Sequence, residues 1–363
     1  MSRATHDMDG NAAPDAYARY EAIASSLPTS ACQGLGAAAY KNHRGFWYPA
    51  HQMSPTLAAR DTFVARPTDI LVATLPKSGT TWLKALVFAV AYRRTHTPAL
   101  EDGAGQRRHP LLGSSPHDLV PFLHYVYEKH RSAAAPLLEA MPAPRVLAVH
   151  APLSALPASV AGSGCRVVYM CRDPKDALVS LWHYLRKANR PGATAASLEE
   201  LLAAFCDGVS PFGPAWEHVA EYWRESLARP EQVMFLRYEH VKEDTVGSVK
   251  RLAEFLGCPF TAEEAAGGVP EAVAALWYMA HLSVSPLLTL SCILSSTLCA
   301  QPRPRHGRHY LAGATPPAPA ASAATFSSPA RFPSSSSSSS RHQLHPALAA
   351  SSRTSSARRT TGC

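Results

Sequence analysis

At 363 residues and 46% hydrophobic composition, the chain can bury a sizeable core and is too apolar for wholesale disorder. Its formal charge of +8 would ordinarily point to nucleic acid or a membrane surface, yet residues 272–363 hold eight of the 35 basic residues, all arginine, and none of the 27 acidic ones. Removing that stretch leaves 27 basic against 27 acidic residues in 1–271, so the body is neutral and neither a nucleic-acid nor a membrane partner is expected of it.

The opening run MSRATHDMDG holds no apolar stretch of the secretory kind. The eight cysteines (32, 165, 171, 206, 258, 292, 299 and 363) show no C-x-x-C pair and no metal-ligand spacing. A cytoplasmic protein with free thiols and no metal site is therefore expected. Residues 1–45, mixed and Ala-rich, read as an N-terminal arm with one helix around 15–27. From about residue 62 short apolar runs alternate with helical patterns. Residues 70–75, 146–149, 166–170 and 233–236 read as buried strands; residues 80–92, 118–130, 174–188, 197–207, 214–227 and 242–256 read as helices. Such strands, apolar on both sides and separated by helices, predict an α/β fold: a single domain over 46–276, with a central parallel sheet flanked by helices.

One segment stands out between a strand and a helix: Leu75-Pro76-Lys77-Ser78-Gly79-Thr80-Thr81-Trp82-Leu83-Lys84. Unpaired N–H groups at a helix start favour an anion, Gly79 permits close backbone approach, Lys77 adds a point charge and the threonines offer hydroxyls. It is not G-x-x-x-x-G-K-[ST], because its lysine precedes its single glycine. Read plainly, the same residues make a strand-to-helix turn with a capping threonine. A second segment is Val167-Val168-Tyr169-Met170-Cys171-Arg172-Asp173-Pro174-Lys175-Asp176-Ala177-Leu178-Val179-Ser180. Here a strand ends near Arg172, Asp173 is placed to cap a helix and Pro174 suits its first position. Ser180, two turns in, leans back toward that start and could share an anion with Arg172. The plain alternative pairs Arg172 with Asp176 on the surface. His150, in Val149-His150-Ala151-Pro152-Leu153, follows an apolar strand and is placed at the same sheet edge, where a neutral imidazole can accept a proton. His117, His124, His183, His218 and His240 read as surface or packing residues.

Two anion sites at the carboxyl ends of two strands suit a nucleotide phosphorylated at both ends of its sugar. Together the segments resemble those of plant cytosolic sulfotransferases, over about residues 20–276. The resemblance implies 3′-phosphoadenosine 5′-phosphosulfate as co-substrate, held by a P-loop-like phosphosulfate loop, with no metal. It implies that Lys77, Ser78, Gly79, Thr80 and Thr81 hold the 5′-phosphosulfate and that Trp82 stacks on adenine. It assigns Arg172 and Ser180 to the 3′-phosphate, Tyr238 (in Leu236-Arg237-Tyr238-Glu239) to the nucleotide's neighbourhood, His150 to the catalytic base and Lys77 to catalysis as well. The acceptor would be a small hydroxylated molecule of flavonoid, steroid or jasmonate type, in a pocket drawing on the arm and on residues 110–160. Oligomeric state is not readable.

Past about residue 276 the pattern changes. Residues 277–300 form an apolar segment that fits no element clearly; the run 282–300 holds a proline and several serines and threonines, so no membrane span is expected. Residues 301–363, rich in Ser, Pro, Ala and Arg, with seven consecutive serines at 334–340, predict a disordered tail. The family's late R-K-G-x-x-G-D-W-type segment, which closes over adenine, has no counterpart here. The stretch after Glu271 reads either as translation in another frame or as a genuine extension. It leaves two further readings beside the sulfotransferase: an inactive pseudo-enzyme or binding protein, and a nucleotide-dependent kinase, which the missing Walker lysine position disfavours.

Overall fold

The structure, a computed structural model, describes residues 16–30, 35, 39–98, 109–188 and 197–284. All lie in the first of two compact units, Met1–Gln301; the expected tail at 301–363 and most of the 277–300 segment lie outside the described residues. Where Asn42-His43-Arg44-Gly45 separates two runs of mixed aromatic and polar residues, the chain makes a hairpin. Arg44 and Gly45 both take positive φ (53° and 87°), the two-residue turn whose twist matches paired strands. A short strand β1 (Thr29–Ser30), β2 (Tyr40–His43) and β3 (Phe46–Pro49) form an antiparallel sheet. With the helix Ala18–Ser26, which buries Tyr20 and Ala24, these residues contribute to the core rather than hang from it. The division expected at 45/46 thus falls inside a hairpin. The helix Ala50–Thr62 was not anticipated either: Pro55 reads as a breaker, but it is buried with Met53, Leu57, Ala58 and Ala59, and burial of that face outweighs the missing N–H.

The four apolar runs become β4 (Ile70–Thr74), β5 (Val146–Val149), β6 (Arg166–Cys171) and β7 (Val233–Arg237). They form one parallel sheet in the order β5-β4-β6-β7. Residues of β4 alternate between two cores, Leu71 and Ala73 on one face, Ile70 and Val72 on the other. All five are buried, as continuous apolar strands covered on both faces require. From β4 the chain crosses by way of the helix Thr80–Ala91 on one face, then reaches β6 from β5 past Ala158–Ser163 on the opposite face. The direction of winding therefore reverses at β4, and such reversals open a crevice beyond the carboxyl ends of the strands. At the opposite, amino end, Arg145 and Asp69 close the sheet with a buried two-pronged ion pair (Nε–Oδ1 2.8 Å). Each partner is satisfied further, Arg145 by the carbonyls of Leu138 and Val64, Asp69 by the Arg66 amide. The last described helix, Val269–Val284, continues past the residue at which the sequence pattern changes.

Candidate active site

Beyond the carboxyl end of β4 the backbone turns through Lys77 (φ 67°) and Gly79 (φ 92°) into the helix Thr80–Ala91. Gly79 is required there twice over. It adopts a left-handed conformation, and a Cβ on it would come within 2.7 Å of both Met170 Cε and the Tyr238 ring. The capping threonine is not found. Gly79 occupies the N-cap with no side-chain bond to the helix, and the Thr80 hydroxyl turns down to Thr74 Oγ1, 2.6 Å away. The first backbone bond of the helix runs from Leu83 N–H to Gly79 O (3.0 Å). The amides of Thr80 and Thr81 are therefore left pointing out of an uncapped, electropositive terminus. Ser78 is buried beneath the turn, and Lys77 Nζ lies 4.8 Å over the Tyr184 ring.

Arg172, just past β6, reaches this loop. Its Nη1 donates to Lys77 O (3.3 Å), its Nη2 makes a long contact with Asp176 (3.4 Å), and its guanidinium lies 4.8 Å over Tyr238. Its Nε is buried without an acceptor among the described residues, so the surface-pair alternative accounts for only part of this side chain. Asp173 accepts from Lys175 N–H (2.9 Å) and caps the helix Pro174–Ala188 as expected. Ser180 is half-buried on that helix; among the described residues no hydrogen bond joins it to Arg172. Tyr238 heads the helix Tyr238–Glu243 and joins the two segments, touching Gly79, Arg172 and the edge of Trp82 (5.4 Å, near-perpendicular). Trp82 itself is buried; its described ring partner is Tyr238.

His150 follows β5 and, because β5 neighbours β4, stands beside the start of the turn through Lys77 and Gly79. Its Nδ1 lies 2.7 Å from Thr74 O. A carbonyl only accepts, so Nδ1 carries the proton and Nε2 presents a lone pair. Burial foremost, and then the charges of His124, Lys84 and His218, hold this imidazole well below its usual range against the opposing pull of Thr74 O. The ring sits between Phe122 (4.4 Å) and Phe212 (5.5 Å). Phe212 is held there by its N–H donating to Trp47 O of β3, while Trp47 N–H donates to Gly213 O, both at 2.7 Å. Beneath, His218 Nε2–H donates to His150 O and its Nδ1 accepts from Tyr169 OH, both at 3.0 Å.

Several of these groups went unread in the sequence. His218 does pack, but it also supports the His150 backbone. His117, expected at the surface, is exposed yet bonded to Thr81 and Lys84. His124 is buried 6.4 Å from His150, its Nε2 lacking a partner among the described residues, and burial pushes its imidazole down to about 3. Lys84, read only as part of the loop segment, is fully buried. No spacing in the sequence announces these, because Phe122, whose ring touches His117, His124, His150 and Lys84, gathers them in space.

A doubly wound sheet thus gathers an uncapped helix start, a buried arginine nitrogen and a single-tautomer histidine at one edge, the edge at which open α/β sheets bind their ligands. The sulfotransferase domain family matches residues 67–303. Cytosolic sulfotransferase 13 of Arabidopsis thaliana is 40% identical over 264 residues, 72% of this chain and 76% of that one. Cytosolic sulfotransferase 14 of the same plant is 43% identical over 64% of this chain and 66% of its own length. Among solved structures, an Arabidopsis thaliana candidate steroid sulphotransferase superposes with a TM-score of 0.60 at 33% identity, covering 82% of this chain and 95% of that one. Mouse sulfotransferase SULT7A1, complexed with PAP, shares the fold at 24% identity (TM-score 0.51). This chain belongs to the plant cytosolic sulfotransferase family.

Among the described residues no helix is long and apolar enough to cross a membrane, and no group of His, Cys, Asp and Glu is arranged to hold a metal.

Proposed function

We propose that this chain transfers the sulfuryl group of 3′-phosphoadenosine 5′-phosphosulfate to a hydroxyl of a small acceptor in the cytoplasm. The observation that carries the reading is the bond from His150 Nδ1 to Thr74 O, which leaves Nε2 of a neutral imidazole with its lone pair, at the sheet edge where the uncapped helix begins. In this reading His150 Nε2 takes the proton as the acceptor oxygen attacks sulfur. The bond between sulfur and the phosphate oxygen breaks, and adenosine 3′,5′-bisphosphate leaves. Lys77 neutralises the charge gathering on the departing oxygen, and the amides of Thr80 and Thr81 with the side chain of Ser78 hold the 5′-group at Gly79. Arg172, through its open Nε, and Ser180 take the 3′-phosphate, while Trp82 and Tyr238 flank the nucleotide. The acceptor lies against Phe122 and Phe212, aromatic walls suited to a flat or polycyclic hydroxylated molecule of flavonoid, steroid or jasmonate type.

The sequence after residue 276 has no counterpart of the family's basic, glycine-containing adenine lid, so donor binding rests on two anion sites alone. Contacts worth about 2–4 kcal/mol are then missing, and donor affinity is reduced roughly 30- to 1000-fold relative to an intact relative. Titration with adenosine 3′,5′-bisphosphate, followed by turnover of the sulfated donor, tests the reading. The native chain should bind weakly, and a chimera carrying the C-terminal segment of an Arabidopsis relative in place of residues 277–363 should bind tightly and turn over. Nucleotide binding unaffected by Lys77→Ala would refute the site, and turnover by the native chain equal to the chimera's would refute the role of the missing lid.

A further inference from the structure

Lys84 is the one lysine of the phosphate helix, four residues into it, and its side chain points away from solvent entirely. Asp118 supports its charge only through space; among the described residues no carboxylate pairs with it directly. Its ammonium lies 3.4 Å from the centre of the Phe122 ring and 3.1 Å from His117 Nδ1. His117 in turn places Nε2 3.0 Å from the hydroxyl of Thr81, one of the two residues whose amides open the helix. The chain of contacts thus begins at a buried cation and ends at the mouth of the candidate anion site. His117 is kept in place by stacking on Phe122 (5.7 Å, 21° between planes).

Donor rules give this chain a direction. An ammonium can only donate, so Nδ1 of His117 is the acceptor and Nε2 must carry the ring's proton. That N–H can only donate, so Thr81 Oγ1 is the acceptor. With one of its lone pairs engaged by His117, the Thr81 hydroxyl is turned so that its O–H is the group left to donate outward. A threonine hydroxyl alone is indifferent between donating and accepting; here its direction is set two residues back, by a charge. Proton-donating chains of this kind polarise one another and strengthen the last bond to an anion.

We propose that Lys84, acting through His117, is a positioning residue that fixes the Thr81 hydroxyl as a donor to the sulfated end of the nucleotide. This rests on the donor-site reading above and adds to it a control element that the loop motif does not contain. Lys84 touches no reacting atom; its effect is exerted on which way one hydroxyl faces. The groups facing it are Asp118 and His117 from the segment Pro116–Leu119, His124 from Leu123–His130, and His150 after β5, with Lys77 acting on His117. Burial brings the Lys84 ammonium down to about 7, against partial support from Asp118. The relay is therefore charged below neutrality and loses its fixed direction above it. An incoming anion favours the charged form, so donor binding near neutral pH draws a proton onto the protein.

The test uses the full chain and adenosine 3′,5′-bisphosphate as probe, in wild type, Lys84→Met, His117→Phe and the double variant, with folding checked by circular dichroism. Methionine replaces the buried lysine at similar volume, and phenylalanine keeps the stack on Phe122 while removing both nitrogens. At pH 6 each single variant should bind about tenfold more weakly than wild type, an amount typical of one charge-assisted hydrogen bond. The double variant should be no weaker than either single one, because both break the same chain. The ratio of wild-type to Lys84→Met affinity should shrink toward one at pH 8.5. Titration calorimetry in buffers of different ionisation enthalpy should show proton uptake near pH 7 in wild type beyond that of Lys84→Met. Equal affinity of wild type and Lys84→Met at pH 6, or additive losses in the double variant, overturns the relay alone, provided Arg172→Ala has lost the nucleotide. If wild type, Lys77→Ala and Arg172→Ala bind indistinguishably, the donor site itself is misplaced and the relay falls with it.

Discussion

The two ends of the parallel sheet bury charge in opposite ways. At the amino end Arg145 and Asp69 meet in a fork, and the remaining donors and acceptors of both find the backbone of Val64, Arg66 and Leu138. At the carboxyl end, among the described residues, Lys84 is buried with no carboxylate in contact, Arg172 Nε and His124 Nε2 have no partner, and the helix Thr80–Ala91 has no side-chain cap. The same chain that satisfies every prong of one cation leaves several groups unsatisfied at the other end of the same sheet. Incomplete satisfaction costs stability wherever it occurs. His109 Nε2, packed on Phe88 and His96, is likewise buried without a partner among the described residues; what sets the carboxyl edge apart is that several such groups gather there beside an uncapped helix, an arrangement suited to something that arrives with its own charge and hydrogen-bonding atoms.

The largest break in this comparison should come at His150. His150→Ala removes the base while leaving the helix terminus, Arg172 and Tyr238 in place. Turnover in a chain or chimera that is active should fall by about 100- to 10,000-fold, with affinity for adenosine 3′,5′-bisphosphate nearly constant. Parallel loss of both would make His150 a structural support for Thr74 instead.

Next in size is the amino end. Arg145→Met leaves Asp69 buried with only the Arg66 amide, and removing one member of a buried pair costs about 3–5 kcal/mol. Denaturant unfolding should show that loss, with nucleotide affinity unchanged under conditions where the variant is folded. A variant as stable as wild type would mean that the pair merely breaks even and that the contrast between the two ends is not energetic.

Arg172→Ala should weaken nucleotide binding by about 1.5–3 kcal/mol while leaving folding stability close to wild type, since this side chain is under-used without a ligand. Arg172→Lys should also bind more weakly, because a point charge cannot supply both the Nη1 contact to Lys77 O and the Nε donor. Full retention of affinity in the lysine variant would reduce Arg172 to a general positive charge.

Much of this architecture was legible in the residues. The strands of the main sheet are continuous apolar runs, a pattern that survives because both faces are covered, and their bounds in the structure differ from those expected by a residue or so. The loop around Gly79 and the Asp173-Pro174 helix start announce themselves through local chemistry, since backbone φ and helix capping are decided by neighbours in sequence, even though the groups that crowd Gly79 are the distant Met170 and Tyr238. Of the first 62 residues the helix around 15–27 is legible and appears as Ala18–Ser26, whereas the hairpin and the helix Ala50–Thr62 are not. The hairpin depends on Arg44-Gly45, a turn signal weaker than Asn-Gly, and the second helix carries Pro55; both are stabilised by burial against distant elements. Lys84, His117 and His124 were invisible as a group because Phe122 gathers them from three elements, and a tertiary cluster leaves no spacing to read. Ser180 and Trp82 stay as the resemblance assigned them, proposals awaiting the nucleotide titration.

The smallest effect is also the one of opposite sign. Lys84→Met makes the same exchange of cation for methionine as Arg145→Met, but at the end where the cation is unpaired. The lysine variant should be more stable than wild type, by about 1–3 kcal/mol near pH 6.5, because a desolvated ammonium is removed and only one hydrogen bond to His117 and one contact with Phe122 are lost. The sign follows from proton linkage. In the unfolded chain Lys84 keeps its ordinary value near 10.5, whereas in the folded one burial brings it to about 7. Between those values the unfolded state holds a proton the folded state has released, so wild-type stability rises with pH across that window. Below pH 7 both states are protonated and the full penalty for burying the charge remains. The advantage of Lys84→Met should therefore be greatest below pH 7 and fade toward pH 10, as urea unfolding at pH 6.5, 8 and 9.5 will measure. A variant less stable than wild type at pH 6.5 would show that Lys84 holds the fold together and is not a strained charge kept for the ligand.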